Sequence, residues 1–187
     1  MNAEALEGGF DNPPIDASYA FRSVMQAMAR PGTIQSIAGA LPPAPLSTAA
    51  GTCLLMLCDQ DTPVFLADSH DNPQVRAWLA FHTGAPLASA SDCLFAVGSW
   101  TSLQPLDTYS VGTAEYPDRS STLIVELDRL EQSGAALSGP GIKSTCSLAL
   151  PAIEPFQKNH LLFPLGLDFI FTNDDLVAAL PRSTEVR

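Results

Sequence analysis

The sequence predicts an α/β protein built on a central sheet with helices on its faces. Apolar runs of strand length alternate with helix-period segments, and many of the sixteen prolines fall between them, where element boundaries belong. At 187 residues and 46% hydrophobic, the chain carries enough apolar material for one core, and residues 1–187 read as a single domain.

Residues 1–14 read as a flexible polar arm. Asp16 is then placed to cap a helix running to about Arg30, with Phe21, Val24, Met25 and Met28 on its apolar face and Pro31-Gly32 as its stop. Thr33 to Ala38 suits a strand, and Leu41 to Pro45 an extended connector. Ser47 opens an alanine-rich segment ending in Cys53-Leu-Leu-Met-Leu-Cys58, read as a buried helix because of its serine cap and alanine pair. After the turn Asp59-Gln60-Asp61, Thr62 to Leu66 reads as a strand start or edge strand, where Pro63 is tolerated. Asn72 caps the next helix with Pro73 at its first position, and Val75, Trp78, Leu79 and His82 share a face. That helix ends near Thr83-Gly84.

Leu94 to Gly98 is a compact strand, residues 99–120 are loop-rich, and Ser121 to Leu127 is the strongest strand signal, centred on Ile124 and Val125. Gly139-Pro140-Gly141 marks a turn where two backbones approach closely. Ile153 to Leu161 is read as helical. The stretch from His160 to Thr184 gives an apolar turn (Phe163-Pro-Leu-Gly166), a strand from Leu167 to Phe171, a polar turn and a second strand from Leu176 to Leu180. Pro181 then delivers Arg182, Ser183 and Thr184 to the surface.

The net charge of −11 and pI near 4.4 argue against nonspecific binding to nucleic acid or anionic membranes, while leaving room for a local basic cleft. The N-terminus lacks a basic-then-apolar signal pattern, and no apolar run is long enough to span a bilayer, so a cytoplasmic protein is expected. Cys53, Cys58, Cys93 and Cys146 form no CxxC pair and read as buried free thiols. His70, His82 and His160 form no HxH or HExxH pattern, so no metal site is expected. Gly134 and Gly139 have Walker-type spacing, but Pro140 stands where lysine is required. No GxSxG elbow is present. Lys143 and Lys158 are the only lysines, and neither has a context suited to a Schiff base.

Arg22, His82, Asp168 and Arg182 are the four candidates for ligand contact. Arg22 neighbours the buried edge of the first helix, where it either pairs with an acid or presents a cation to a ligand. His82, at a helix C-terminus, is either a cap or a general acid–base. Asp168 lies in an apolar run and needs a partner, for which Arg182 or a cluster of backbone amides would serve. Structural pairing, ligand contact and a catalytic acid are all open for Asp168.

Several motifs, in order and spacing, carry a family resemblance. They are Phe21-Arg22 with Met28 and Pro31-Gly32; Leu57 with Asp59 and Asp61-Thr-Pro-Val64; Phe81-His-Thr83 with Ala85-Pro86; Gly112-Thr-Ala114; Ser121-Thr-Leu-Ile124; Ser138-Gly-Pro-Gly-Ile142; Phe163-Pro-Leu-Gly-Leu-Asp168; and Pro181-Arg-Ser-Thr184. Together they resemble PhnH, a subunit of the bacterial carbon–phosphorus lyase system, over nearly the whole chain.

The resemblance implies a three-layer α/β/α fold with a mixed central sheet, similar to PLP-dependent transferases but without PLP or any other cofactor. It further implies a homodimer that joins PhnG, PhnI and PhnJ in phosphonate catabolism. That complex couples a phosphonate to the ribose of ATP with displacement of adenine, and a radical iron–sulfur step on another subunit later breaks the C–P bond. The resemblance assigns no catalytic residue. Two other readings are a stand-alone phosphonate or nucleotide transferase using Arg22, His82 and Arg182, and a vestigial PLP enzyme using Lys143 or Lys158.

Overall fold

The computed structural model describes residues 7–187. Its helices are α1 (Pro13–Ala29), α2 (Thr48–Leu57), α3 (Pro73–Thr83) and α4 (Glu154–His160). The strands are β1 (Gln35–Ser36), β2 (Val64–Leu66), β3 (Phe95–Ser99), β4 (Thr122–Glu126), β5 (Ala135–Ser138), β6 (Cys146–Leu148), β7 (Asp168–Asn173), β8 (Leu176–Leu180) and β9 (Glu185–Val186).

Local chemistry accounts for the helix starts. The Ser47 hydroxyl accepts the Ala50 N–H at 3.1 Å, and Asn72 Oδ1 accepts the Val75 N–H at 2.9 Å, each satisfying an otherwise orphaned donor. Pro73 occupies the first turn of α3, where its missing N–H removes no intrahelical bond. Gly84 closes α3 with φ of 69°, a conformation that costs a residue with a Cβ.

Six strands form the main sheet in the order β1-β8-β7-β4-β3-β2. Strands β2, β3, β4 and β7 run parallel, whereas β8 pairs antiparallel with both β7 and β1, so the sheet is mixed. The parallel strands are apolar through their centres because both of their faces are covered. One face packs Val64, Val97, Ile124, Ile170 and Val177 against α1, α2 and α3, with Trp78 and Leu54 in the same cluster. The other face, built on Leu123, Val125, Phe169 and Phe171, is covered by Phe156 of α4, by Leu103 and Tyr109 of the β3–β4 connection, and by a second sheet. That sheet has the order β6-β5-β9 and is antiparallel. The expected helical layer on this face is therefore only one short helix, supplemented by strands and loop. Residues 131–150 are interrupted by Gly134, Gly139, Pro140 and Gly141 and form β5 and β6 in place of a longer helix.

Several boundaries differ from the sequence reading. Helix α1 begins at Pro13, so Pro13 and Pro14 belong to it rather than to an arm, and residues 1–6 lie outside the described residues. Asn12 is its N-cap, and the Asp16 carboxylate reaches back to accept the Asn12 N–H at 2.8 Å. Asp16 is thus the reciprocal partner of a cap and not the cap itself. The buried face of α1 is Ala20, Val24 and Ala27, with Phe21 and Met25 exposed. Small residues let α1 lie close to its neighbours α2 and β8, turning the bulky side chains outward. Only Gln35 and Ser36 of the expected 33–38 strand pair.

The Gly-Pro-Gly turn does bring two backbones together. Gly141 has φ of 81° and lies so close to the Ala29 carbonyl oxygen, at the end of α1, that a Cβ would collide with it.

Candidate functional site

The β7–β8 hairpin decides where the two misplaced charges of the sequence meet. Phe169 pairs with Leu180 and Ile170 with Ala179, so Asp168 at the start of β7 faces the residues just after β8. The Asp168 carboxylate accepts the Arg182 backbone N–H at 2.8 Å and the guanidinium at 3.2 Å (Nε) and 2.5 Å (Nη2). Arg182 also donates to the Pro117 carbonyl at 2.7 Å and to the Ser120 hydroxyl. With side chains only 13% and 17% exposed, Arg182 and Asp168 form a half-buried pair whose hydrogen-bonding capacity is directed into the protein. Arg182 is therefore not delivered to the surface as the sequence suggested, and Thr184 behind it is buried. The chain continues past them into β9, a strand that the reading of a polar tail missed.

Around this pair the apolar turn is pinned from three sides. Asn159 Nδ2 donates to the Leu167 carbonyl at 2.9 Å while Asn159 Oδ1 accepts the Leu167 N–H at 2.7 Å, an imitation of a strand pairing by a side chain. The Gly166 N–H donates to the Val111 carbonyl at 3.1 Å, with Gly166 at φ of 123°. His160 Nδ1 sits 3.1 Å from the Arg182 carbonyl, which fixes that nitrogen as the N–H donor because a carbonyl only accepts.

The consequence of this anchoring is an apolar ledge beside a cleft. Leu161 is 82% exposed and Phe163 59% exposed, with Leu162 between them also exposed. The neighbouring cleft, of about 590 Å³, is lined by Leu106, Tyr109, Val111, Leu162 and Leu167, with Asp107, Lys158 and Asn159 among its polar wall. Apolar side chains held outward by a turn pinned by hydrogen bonds at Asn159, His160 and Gly166, next to an apolar cleft, are the surface chemistry of protein–protein contact. A second apolar surface lies on α1, where Ile15, Tyr19, Phe21 and Met25 are exposed.

The other sequence candidates are elsewhere. Arg22 is exposed on α1. His82 packs between Trp78 and Phe81, with ring centroids 5.2 and 4.9 Å away, and its Nε2 lies 3.1 Å from the Glu7 carbonyl. Among the described residues, Arg22, His82 and Arg182 share no hydrogen bond or ion pair. The structure joins Asp168 to Arg182 and leaves Arg22 and His82 apart from them. Lys143 is exposed, and Lys158 pairs with Glu154 at 2.8 Å on the surface of α4. No group of three or more His, Cys, Asp or Glu that could hold a metal occurs among the described residues.

One polar cluster escaped the sequence reading. Glu126 ends β4, accepts the Ser47 N–H at 2.6 Å and the Thr172 hydroxyl at 3.0 Å, and faces the buried His70. Burial pushes the Glu126 carboxyl up from its ordinary range and the His70 imidazole down. A carboxylate closing the most apolar strand was a usable signal, since ligands gather at the carboxyl ends of parallel strands. His70, inside the polar run Asp68-Ser69-His70-Asp71, gave none.

Comparison with known proteins places this architecture. Residues 8–187 match the family described as bacterial phosphonate metabolism protein (PhnH). The chain is 38% identical to the alpha-D-ribose 1-methylphosphonate 5-triphosphate synthase subunit PhnH of Rhizobium meliloti (strain 1021), over 98% of this chain and 96% of that protein. It is 28% identical to the putative C-P lyase subunit protein HtxG of Stutzerimonas stutzeri, over 89% of this chain and 84% of that one. Since the family match spans nearly all of the chain, the protein belongs to the PhnH family of bacterial phosphonate metabolism proteins.

Proposed function

We propose that this chain is a PLP-free subunit of the carbon–phosphorus lyase core complex. In that role it assists formation of ribose 1-methylphosphonate 5-triphosphate from ATP and methylphosphonate in the cytoplasm. It acts as a homodimer on a frame similar to that of PLP-dependent transferases, assembled with PhnG, PhnI and PhnJ. The role that the name of the Rhizobium relative states supports this reading, because the two chains match over 98% of this one and 96% of the other.

The observation that carries the subunit role is the use made of Arg182. A cation free to bind phosphonate or triphosphate would keep its guanidinium exposed, whereas Arg182 spends its donors on Asp168, Pro117 and Ser120. The same hydrogen-bonded knot holds Leu161 and Phe163 out as contact residues beside the cleft. Assembly is thus better provided for than phosphate binding. Among the described residues no helix is long and apolar enough to cross a membrane.

Co-expression with the three partner subunits, followed by affinity purification on this chain, tests the proposal. All four proteins are expected to co-elute, and adenine release from ATP plus methylphosphonate is expected from the assembly but not from this chain alone. A chain that purifies without its folded partners, or that releases adenine unaided, overturns it.

A further inference from the structure

The carboxyl ends of β2, β3, β4 and β7 carry a second constellation, separate from the Asp168–Arg182 knot at the opposite end of β7. Ser69 and His70 follow β2, Ser99 ends β3 with Thr101 and Ser102 just beyond it, and Glu126 ends β4. Their hydroxyls form a continuous series. Thr101 Oγ1 and Ser99 Oγ are 3.2 Å apart, Ser99 Oγ donates to Ser102 Oγ at 3.0 Å, and Ser102 Oγ lies 2.6 Å from Ser69 Oγ. Ser69 Oγ is in turn 2.7 Å from His70 Nδ1.

His70 is only 4% exposed, and its Nε2 is buried without a hydrogen-bond partner, 4.0 Å from Glu126 Oε1. A buried imidazole nitrogen left without a hydrogen-bond partner 4.0 Å from a carboxylate oxygen is an unusual feature that structural packing does not require. The tautomer follows from electrostatics. A proton on Nε2 faces the carboxylate, whereas a lone pair there would oppose the Glu126 oxygen. Nδ1 is then the acceptor for the Ser69 hydroxyl. Ser69 Oγ meanwhile accepts the Ser99 N–H at 3.0 Å, while the Ser102 hydroxyl beside it donates to the Ser99 carbonyl at 3.0 Å. The Ser99 N–H, aimed at an oxygen that gives up its proton, stabilises the alkoxide.

We propose that Ser69, His70 and Glu126 form a Ser–His–Glu nucleophile at the carboxyl edge of the parallel sheet, directed at neutral carboxylic esters. Such units are recognised by geometry and not by sequence order, and formation of the imidazolium adds a charge attraction across the 4.0 Å between His70 Nε2 and Glu126 Oε1. Ser69 Oγ attacks the ester carbonyl carbon as its proton passes to His70 Nδ1, and the Nε2–H of the imidazolium pairs with Glu126. The bond to the leaving alkoxide then breaks, and that alkoxide takes the proton from Nδ1, leaving an acyl-Ser69. Water repeats the sequence with His70 as base, and the balance is ester plus water to acid plus alcohol. A neutral substrate is indicated because Asp68 is exposed beside Ser69, Glu126 lies behind it and the chain carries −11, all of which repel phosphate esters.

The test uses the full chain with a fluorophosphonate probe and with p-nitrophenyl acetate, read by intact mass, peptide mapping and initial rate. The expected result is a single fluorophosphonate adduct on Ser69, formed with release of fluoride, and a p-nitrophenol rate above that of buffer. Both are lost in Ser69→Ala, an exposed change that spares the core. His70→Gln and Glu126→Gln are expected to slow modification, the former by about 100-fold, the scale of a positioned general base. No adduct on the native chain, an adduct mapped elsewhere, or an unchanged labelling rate in a folded His70→Gln protein overturns the proposal.

Discussion

The Arg182 guanidinium and its own backbone N–H converge on one carboxylate, that of Asp168, fourteen residues earlier in the chain. The pair locks the start of β7 to the end of β8 and, through Pro117 and Ser120, to the approach to β4. Arg182→Ala leaves Asp168 half-buried without its counter-ion. The expected loss is about 3 kcal/mol, less than for a fully buried pair because both side chains retain some exposure. Urea unfolding checks this, as a lower midpoint with an unchanged slope. Arg182→Lys is expected to recover only part of the loss, since lysine has no bidentate fork.

Leu161 and Phe163 are predicted to act in assembly and not in folding. Replacing both with Asp should leave the melting temperature within about 2 °C of the parent, as expected for exposed positions. Capture of the partner subunits should fall by about thirtyfold in affinity for each anchor lost, about 2 kcal/mol. Quantitative pull-down against a melting curve separates the two effects, and retained capture would remove the ledge from the interface.

His70 sets an acid limb to stability. Its folded-state imidazole lies below the ordinary value near 6.5 because burial disfavours the cation. The unfolded chain therefore binds a proton that the folded one resists, and stability falls as pH drops below about 6.5. Glu126 acts in the opposite direction. Its carboxyl is held above its usual range, so stability falls as pH rises from about 4.5 toward its folded value. His70→Leu should flatten the decline of the melting temperature between pH 6.5 and 5. An unaltered slope would show that His70 does not titrate against the fold.

The thiols should react in order of exposure. Cys53 and Cys58 are buried in the core, with burial pushing the Cys58 thiol up to about 12 and Cys53 higher still, and Cys93 is buried as well. Cys146 is the one with partial exposure. With a disulfide reagent at pH 8 the native chain is expected to modify Cys146 first, and all four only in denaturant. Early labelling of Cys53 would contradict the packing of α2.

Gly141→Ala tests the close approach of the Gly-Pro-Gly turn to α1. The left-handed φ alone costs about 1–2 kcal/mol, and the collision with the Ala29 carbonyl adds to it. A clear drop in melting temperature is expected, whereas Gly134→Ala, with ordinary contacts around its Cβ position, should pay mainly the φ cost.

Much of the architecture was legible in the sequence because it is written in short-range chemistry. Ser47, Asn72-Pro73 and Gly84 each act within four residues of themselves, so the limits of α2 and α3 could be read directly. The apolar runs around Ile124 and Phe169 announced strands covered on both faces, as β4 and β7 are. The face of α1 could not be read in this way. Alanines and large apolar residues both mark a helical stripe, and which one is buried depends on how closely α2 and β8 approach.

By itself, the sequence determined the alternation of strands and helices, the helix caps, the absence of familiar nucleophile and phosphate motifs, and the family signature. Only the tertiary structure decided what Asp168 and Arg182 do. The antiparallel register of β7 and β8 brings them together and spends them on each other, although fourteen residues separate them. The parallel register of β2, β3 and β4 likewise brings Glu126 to 4.0 Å from His70, 56 positions earlier in the chain. Local rules reach about one helical turn, whereas ion pairs and proton relays depend on contacts that only long-range strand pairing creates.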